Sequence, residues 1–245
     1  MDPIYSLTYP IDDLTVDRFG NMKPSAMLFL AQEAAGQHCN YLGVDYDSLA
    51  AKGMFWAIIR QRLVITRLPR RGETLRVETW PMPTTRVAFP RTVVARDEAG
   101  NECFRTISLW VLMDMTSRAM VLPGKSGITV EGILRGGELA PPGALTPGKH
   151  TDCRQRTVSF TDLDRNGHMN NTRYLDWVWD LMPGSFHAGR QLREFSVCYF
   201  SESLEGDNLT LRWDNPEETL WQVDIHREKE GKEERVFSVR LQYDM

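Results

Sequence analysis

Asp164-Arg165-Asn166-Gly167-His168-Met169 repeats, with two changes, the earlier phrase Asp17-Arg18-Phe19-Gly20-Asn21-Met22. Asp, Arg, Gly and Met stay in register, while Phe19 gives way to Asn166 and Asn21 to His168. A phrase carried twice marks a duplicated unit, and its surroundings repeat as well. A short extended run precedes each copy, over residues 5–9 and 157–160, and a helical segment follows. In the second half Tyr174, Trp177, Val178 and Leu181 stand at i, i+3, i+4 and i+7, one apolar helix face. Asn170 or Asn171 is placed to cap that helix and Pro183-Gly184 to stop it. In the first half Pro24 suits an opening helical turn. Met27, Leu30, Ala31 and Ala34 then share one face, broadened by Leu28 and Phe29.

Strand-like runs follow each helix, over residues 55–68, 74–80, 87–96 and 104–115, then 195–200, 208–213, 220–227 and 235–243. The charged stretch 228–234 reads as a solvated hairpin tip. One helix followed by an antiparallel meander, twice over, is an α+β arrangement in which each sheet wraps its own helix. Residues 123–150 are rich in Gly and Pro without sustained periodicity and read as a linker. The expected division is therefore 1–122, a linker over 123–150, and 151–245.

Composition sets the outer limits. With 245 residues, 42% hydrophobic and 25% charged, the chain has the balance of a soluble globular protein. Its net charge of −4 argues against general nucleic-acid binding, and no apolar run approaches the ~20 residues of a membrane span. Cys39, Cys103, Cys153 and Cys198 are scattered, without a C-x-x-C pair, as expected of free thiols in a reducing cytoplasm. The N-terminus carries no signal-peptide or transit-peptide pattern, which fits a cytoplasmic protein.

The changed letters locate the candidate chemistry. Aligning Gly72-Glu73-Thr74-Leu75 with Gly206-Asp207-Asn208-Leu209 sets Leu68 against Glu202 and Pro69 against Ser203. Asn166, His168 and Glu202 thus form a polar set confined to the second half. Placed at a helix start, the set suits an oxyanion, with Glu202 or the imidazole deprotonating water. Asn and His also cap helices for purely local reasons. The first copy does without both, which favours chemistry. Asp164 is shared with Asp17, so its first job is holding the turn, with a supporting role at the site. Ser203 is a weaker candidate nucleophile, since no Gly-x-Ser-x-Gly surrounds it. His38, His150, His187 and His226 lack metal-ligand spacing. Arg60, Arg62, Arg67, Arg70 and Arg71 read either as solvated surface or as a landing patch for an acidic carrier.

The run from Leu163 to Trp177 resembles the acyl-acyl-carrier-protein thioesterase family, whose second half carries a D-x-N-x-H-x-N-N-x-x-Y-x-x-W signature. The resemblance covers nearly the whole chain. It implies two tandem hot-dog domains and hydrolysis of the thioester between a fatty acyl chain and acyl carrier protein, without a metal or organic cofactor. The family's Asp, Asn and His carry over to Asp164, Asn166 and His168. Its Tyr-x-x-Glu-Cys segment matches Tyr199-Phe200-Ser201-Glu202-Ser203, so the Glu carries over to Glu202 and a serine replaces the cysteine. That replacement favours water activated by Glu202 over a triad built on the cysteine. The missing transit peptide points to a bacterial member. Phe19, Met27, Leu28, Phe29, Trp56 and Leu68 make the equivalent region of the first half apolar, as an acyl chain requires. An acyl-CoA substrate, or acyl binding without catalysis, is the alternative. Hot-dog relatives often pair, so a homodimer stays open alongside the tandem as its own pairing.

Overall fold

The computed structural model describes residues 2–244. The chain forms two compact units, Met1–Pro142 and Gly143–Met245. In unit 1, β1 (Tyr5–Pro10) leads through the first copy of the repeat into α1 (Pro24–Leu42) and the short α2 (Tyr46–Ala50). Then come β2 (Met54–Ile65), β3 (Thr74–Pro81), β4 (Phe89–Arg96), β5 (Glu102–Asp114), β6 (Met120–Val121) and α3 (Pro123–Ser126). Unit 2 holds β7 (Asp152–Thr157), a 3-10 turn (Phe160–Asp162), α4 (Arg173–Trp179), α5 (Gly184–Gly189), β8 (Leu192–Tyr199), β9 (Asn208–Glu217), β10 (Leu220–Lys229) and β11 (Lys232–Tyr243).

The sheets repeat one another. Unit 1 runs β1-β3-β4-β5-β2, with β6 on β5, and unit 2 runs β7-β9-β10-β11-β8. All these pairings are antiparallel. The meander is confined to β3–β6 in unit 1 and β9–β11 in unit 2. The strand after the helix skips its sequence neighbour: β2 joins β5 and β8 joins β11.

In α1, Pro24 opens the first turn and Gly43 ends the helix in the left-handed region, with Met27, Leu28, Leu30 and Ala34 fully buried between. β4 lies between β3 and β5 and is buried at every position but its last, so its sequence has lost the two-residue alternation of a one-sided strand. Unit 2 buries Trp177 of α4 and, on its strands, Val197, Val223, Ile225, Phe237 and Val239, each at most 1% exposed. Tyr174 stacks on Phe237 with ring centroids 4.8 Å apart.

Three expectations change. The extended run before the second copy ends at Thr157, and Phe160–Asp162 coils into a 3-10 turn closed by a reciprocal Ser159–Asp162 cap. α4 has only 7 residues and ends at Trp179, so Leu181 lies beyond it. Pro183 disfavours helical backbone at Met182, and the chain restarts as α5 directly after it. The linker stretch opens with α3, and residues 127–151 have no helix or strand, yet they are anchored. Ile133 N–H donates to Pro81 O (3.0 Å), and a side chain at Gly132 would collide with the Met82 backbone. In unit 2, Gly148 N–H donates to the buried Asp224 (2.9 Å), and Gln222 Nε2 donates to Thr146 O (2.7 Å). Among the described residues no helix is long and apolar enough to cross a membrane.

Candidate active site

The two copies of the repeat fold into the same turn. Asp17 Oδ1 accepts from Phe19 N–H (2.8 Å) and Asn21 N–H (3.0 Å). Asp164 Oδ1 accepts from Asn166 N–H (2.8 Å) and His168 N–H (3.3 Å). Gly20 and Gly167 both take φ +77°, where L side chains are strained, which explains why this letter is unchanged. The conserved Asp is thus the turn's internal acceptor in both units. Because Asp164 takes the amides of Asn166 and His168, those amides are committed to the turn.

The turn then pairs with a distant segment, and this pairing builds the site. Asn21 bridges Arg70 and Met22 N–H donates to Pro69 O (2.8 Å); His168 bridges Leu204 and Met169 N–H donates to Ser203 O (2.8 Å). The register drawn from the glycines, Leu68 against Glu202, is therefore the register of the structure. In an antiparallel pair the residue opposite and those two positions along share a face. His168 faces Leu204, so Glu202 is its diagonal neighbour, and Nε2 of His168 lies 3.4 Å from Oε2 of Glu202. The same geometry in unit 1 sets Asn21 diagonal to Leu68, with neither acid nor base.

Ser203, next along, must point the other way. It is fully buried and accepts a hydrogen bond from Tyr174 Oη (2.9 Å). Burial pushes the Tyr174 phenol up to about 12, so it stays a donor. Glu202 and Asn166, in contrast, are exposed and His168 is half-buried. The carboxylate and the imidazole meet at the surface while the serine serves the core.

Asn166 and His168 do not sit at a helix N-terminus. α4 begins at Arg173 with Thr172 as its cap residue, and Asn170 Oδ1 accepts from Thr172 N–H (2.9 Å) instead of capping the helix itself. The expected contribution of helix-start amides to an oxyanion site therefore drops out. The Asn166 side-chain amide is left as the candidate donor. The rest of the signature is scaffold. Asp162 accepts from Trp177 Nε1 (3.3 Å) and from Arg173 Nε (3.4 Å), and Tyr199 Oη donates to Asn171 O (3.1 Å).

One contributor was not expected from the sequence. Arg227 of β10 donates to Glu202 O (2.9 Å), Asp207 Oδ2 (2.6 Å), Ser201 Oγ (3.1 Å) and Glu234 Oε2 (2.8 Å). It clamps the loop that carries Glu202. Its place beside the charged hairpin 228–234 hid it among solvated charges. Arg227→Met should lower the kcat of a reaction that depends on the Glu202 carboxylate by roughly ten- to a hundredfold, through misplacement of that carboxylate. KM should change less, and circular dichroism should report a folded chain. A change in stability with kcat intact would rule out the positioning role.

The apolar candidates of the first half scatter. Met27 and Leu28 are core residues of α1, and Phe19 and Phe29 are exposed. Leu68 is half-buried. Only Trp56 lines the cavity of about 330 Å³ in unit 1, together with Cys39, Phe89, Arg91, Trp110 and Val130 among others. Of the five arginines, Arg67 is held by Glu73 (2.9 Å) and Asp97 (3.2 Å), and Arg71 by Asp13, whereas Arg70 is exposed. Among the described residues no group of three or more His, Cys, Asp or Glu is arranged to hold a metal ion.

Residues 3–122 match the acyl-ACP thioesterase N-terminal domain and residues 147–243 the acyl-ACP thioesterase C-terminal domain. The chain belongs to the acyl-ACP thioesterase family. Each unit of this family member, a helix wrapped by an antiparallel sheet, is a hot-dog fold. The chain is 26% identical over 187 residues to a chloroplastic palmitoyl-acyl carrier protein thioesterase of Gossypium hirsutum, covering 70% of this chain and 45% of that protein. It spans about half the length of the curated relatives it matches. An acyl-ACP thioesterase from Bacteroides thetaiotaomicron has the same fold, with a TM-score of 0.88 and 22% identity over 99% of this chain and 98% of that one. The 12:0-ACP thioesterase of Umbellularia californica gives a TM-score of 0.84 and 20% identity, over 100% of this chain and 98% of that one.

Proposed function

We propose that this acyl-ACP thioesterase family member hydrolyses the thioester of fatty acyl-acyl carrier protein by direct attack of water. The observation that carries the reading is the His168–Glu202 pair, 3.4 Å apart in unit 2, where the matched place in unit 1 holds Asn21 and Leu68. Glu202 takes a proton from water as the oxygen adds to the thioester carbon. The Asn166 amide donates to the carbonyl oxygen as it gains charge. The C–S bond then breaks, and the proton taken up by Glu202 passes through His168, 3.4 Å away, to the departing thiolate. Unit 1 supplies the apolar cavity for the acyl chain, with Trp56 among its walls. A cytoplasmic setting agrees with the four free thiols.

The test is to offer the purified chain a mixed acyl-acyl carrier protein pool and identify the free fatty acids released, with acyl-CoA of equal chain length in parallel. Release from the carrier substrate supports the proposal. Turnover of CoA esters alone would make the chain an acyl-CoA thioesterase, and binding without release would make it a carrier of acyl chains. The arginine patch is tested with the same pair of substrates. Charge reversal at Arg60 and Arg70 should raise KM for the carrier substrate about tenfold at low salt and leave the CoA ester unaffected. Equal losses on both would reject the patch.

A further inference from the structure

Arg91 is a buried cation on the wall of the unit 1 cavity. It stands between Pro90 and Thr92 in β4, a strand buried at every position but its last, and is 5% exposed. Its side chain reaches α1. Nη1 lies 3.0 Å from His38 Nδ1 and donates to Thr79 Oγ1 (3.2 Å), and Nη2 approaches Cys39 Sγ at 3.9 Å. Every one of these partners is neutral. His38 is pushed down to about 4, by burial first and then by the Arg91 charge, so it contributes no positive charge and no counter-charge at pH 7. Burial also raises the Cys39 thiol, which stays protonated.

Among the described residues no carboxylate pairs with Arg91. Two acids share the cavity lining, and each is engaged elsewhere: Asp45 accepts from Ser48 N–H (2.8 Å), and Glu33 accepts from Gln37 Nε2 (2.7 Å). The C-terminal end of α1 offers at most a partial negative charge. A buried guanidinium with five N–H donors and no anion is costly, and chains retain such groups chiefly where something else supplies the missing charge. Trp56, Phe89, Trp110 and Val130 give the cavity an apolar wall, and Gln32, Gln37 and Asn40 of α1 line it with neutral amides.

We propose that the unit 1 cavity binds a fatty acid as its carboxylate, the head paired with Arg91 and the chain lying against Trp56, Phe89 and Trp110. The bidentate fork of arginine matches a carboxylate, and the pairing is strong where water is excluded. A free fatty acid is also what the reaction proposed for unit 2 releases. On that reading the acid and the acyl chain of the substrate compete for one cavity, which gives the enzyme product inhibition. The binding itself rests on the cavity and Arg91, and does not depend on hydrolysis.

The experiment titrates the full chain with sodium decanoate and, as a neutral control, decan-1-ol, followed by calorimetry and tryptophan fluorescence. Decanoate should bind about tenfold or more tightly than the alcohol. Arg91→Gln should bring the two to equal affinity, and Arg91→Lys should keep part of the preference. If Arg91→Gln fails to fold, the wild-type comparison decides, joined by Trp110→Ala, which should weaken both ligands alike. Equal affinities in the wild type, no binding of either, or a preference that survives in folded Arg91→Gln would each overturn the proposal. Glu202→Gln should bind decanoate as the wild type does. This separates the proposal from that of hydrolysis: a chain that binds decanoate without any turnover leaves the cavity assignment standing. In an active chain decanoate should raise KM for the acyl substrate with kcat unchanged, and Arg91→Lys should show weaker inhibition.

Discussion

Glu202→Gln should lower the turnover of acyl-acyl carrier protein by roughly 10²–10⁴, whereas Ser203→Ala should stay within a fewfold of the wild type. The two residues are neighbours in sequence and opposites in environment. Glu202 is exposed and reaches His168, and its replacement by the isosteric amide removes the base while sparing the fold. Ser203 is fully buried and bound to Tyr174, so its loss strands a buried phenol. The cost appears as stability, about 1–3 kcal/mol by chemical denaturation, with kcat little changed. A dead Ser203→Ala enzyme beside an active Glu202→Gln enzyme would transfer the chemistry to the serine. Michaelis parameters and unfolding curves on both variants decide the matter.

The register joining Glu202 to His168 was legible because the chain carries its own comparison. Four unchanged letters fixed the turn, and the matched glycines Gly72 and Gly206 fixed the segment that pairs with it. Asp164 was legible as scaffold for the same reason: Asp17 makes the same bonds where no acid–base pair exists. What stayed hidden depends on single long-range contacts that leave no periodic trace. α4 ends at Trp179, ahead of the stop that Pro183 announces in the sequence, while the apolar stripe runs on to Leu181. Arg227 looks like one more charge beside a solvated hairpin until β10 and the Glu202 loop come together. Of the apolar candidates Trp56 lines a cavity in unit 1, whereas Met27 and Leu28 face the core. Helical spacing shows that a face is apolar, not whether it meets side chains or a void. Arg91 did carry a signal, a lone charge inside Phe89–Ala95, and a guanidinium in a strand buried on both faces asks for a partner.

Writing the first copy of the repeat into the second, Asn166→Phe with His168→Asn, should abolish hydrolysis and preserve the fold. Unit 1 is the precedent. With Phe19 and Asn21 in these places the turn makes the same Asp bonds, holds its glycine at the same φ of +77° and bridges its partner segment in the same register. The side chains at both positions are therefore not what the turn needs to form. Asn166 is exposed and His168 half-buried, so the exchange empties no core site. On the proposed mechanism the variant loses the carbonyl-oxygen donor and the group that passes the proton to the thiolate, each worth about 10²–10³ in kcat by itself. Groups that act as one unit are not additive, so the double variant should fall only modestly below the worse single one. Its melting temperature should stay within a few degrees of the wild type, roughly the effect of 1 kcal/mol or less in a chain this size. A folded double variant with undiminished turnover would remove the second copy from the mechanism. An unfolded one would mean that the two turns, alike in their Asp bonds and in register, draw their stability from different side chains, and would return Asn166 and His168 to the scaffold.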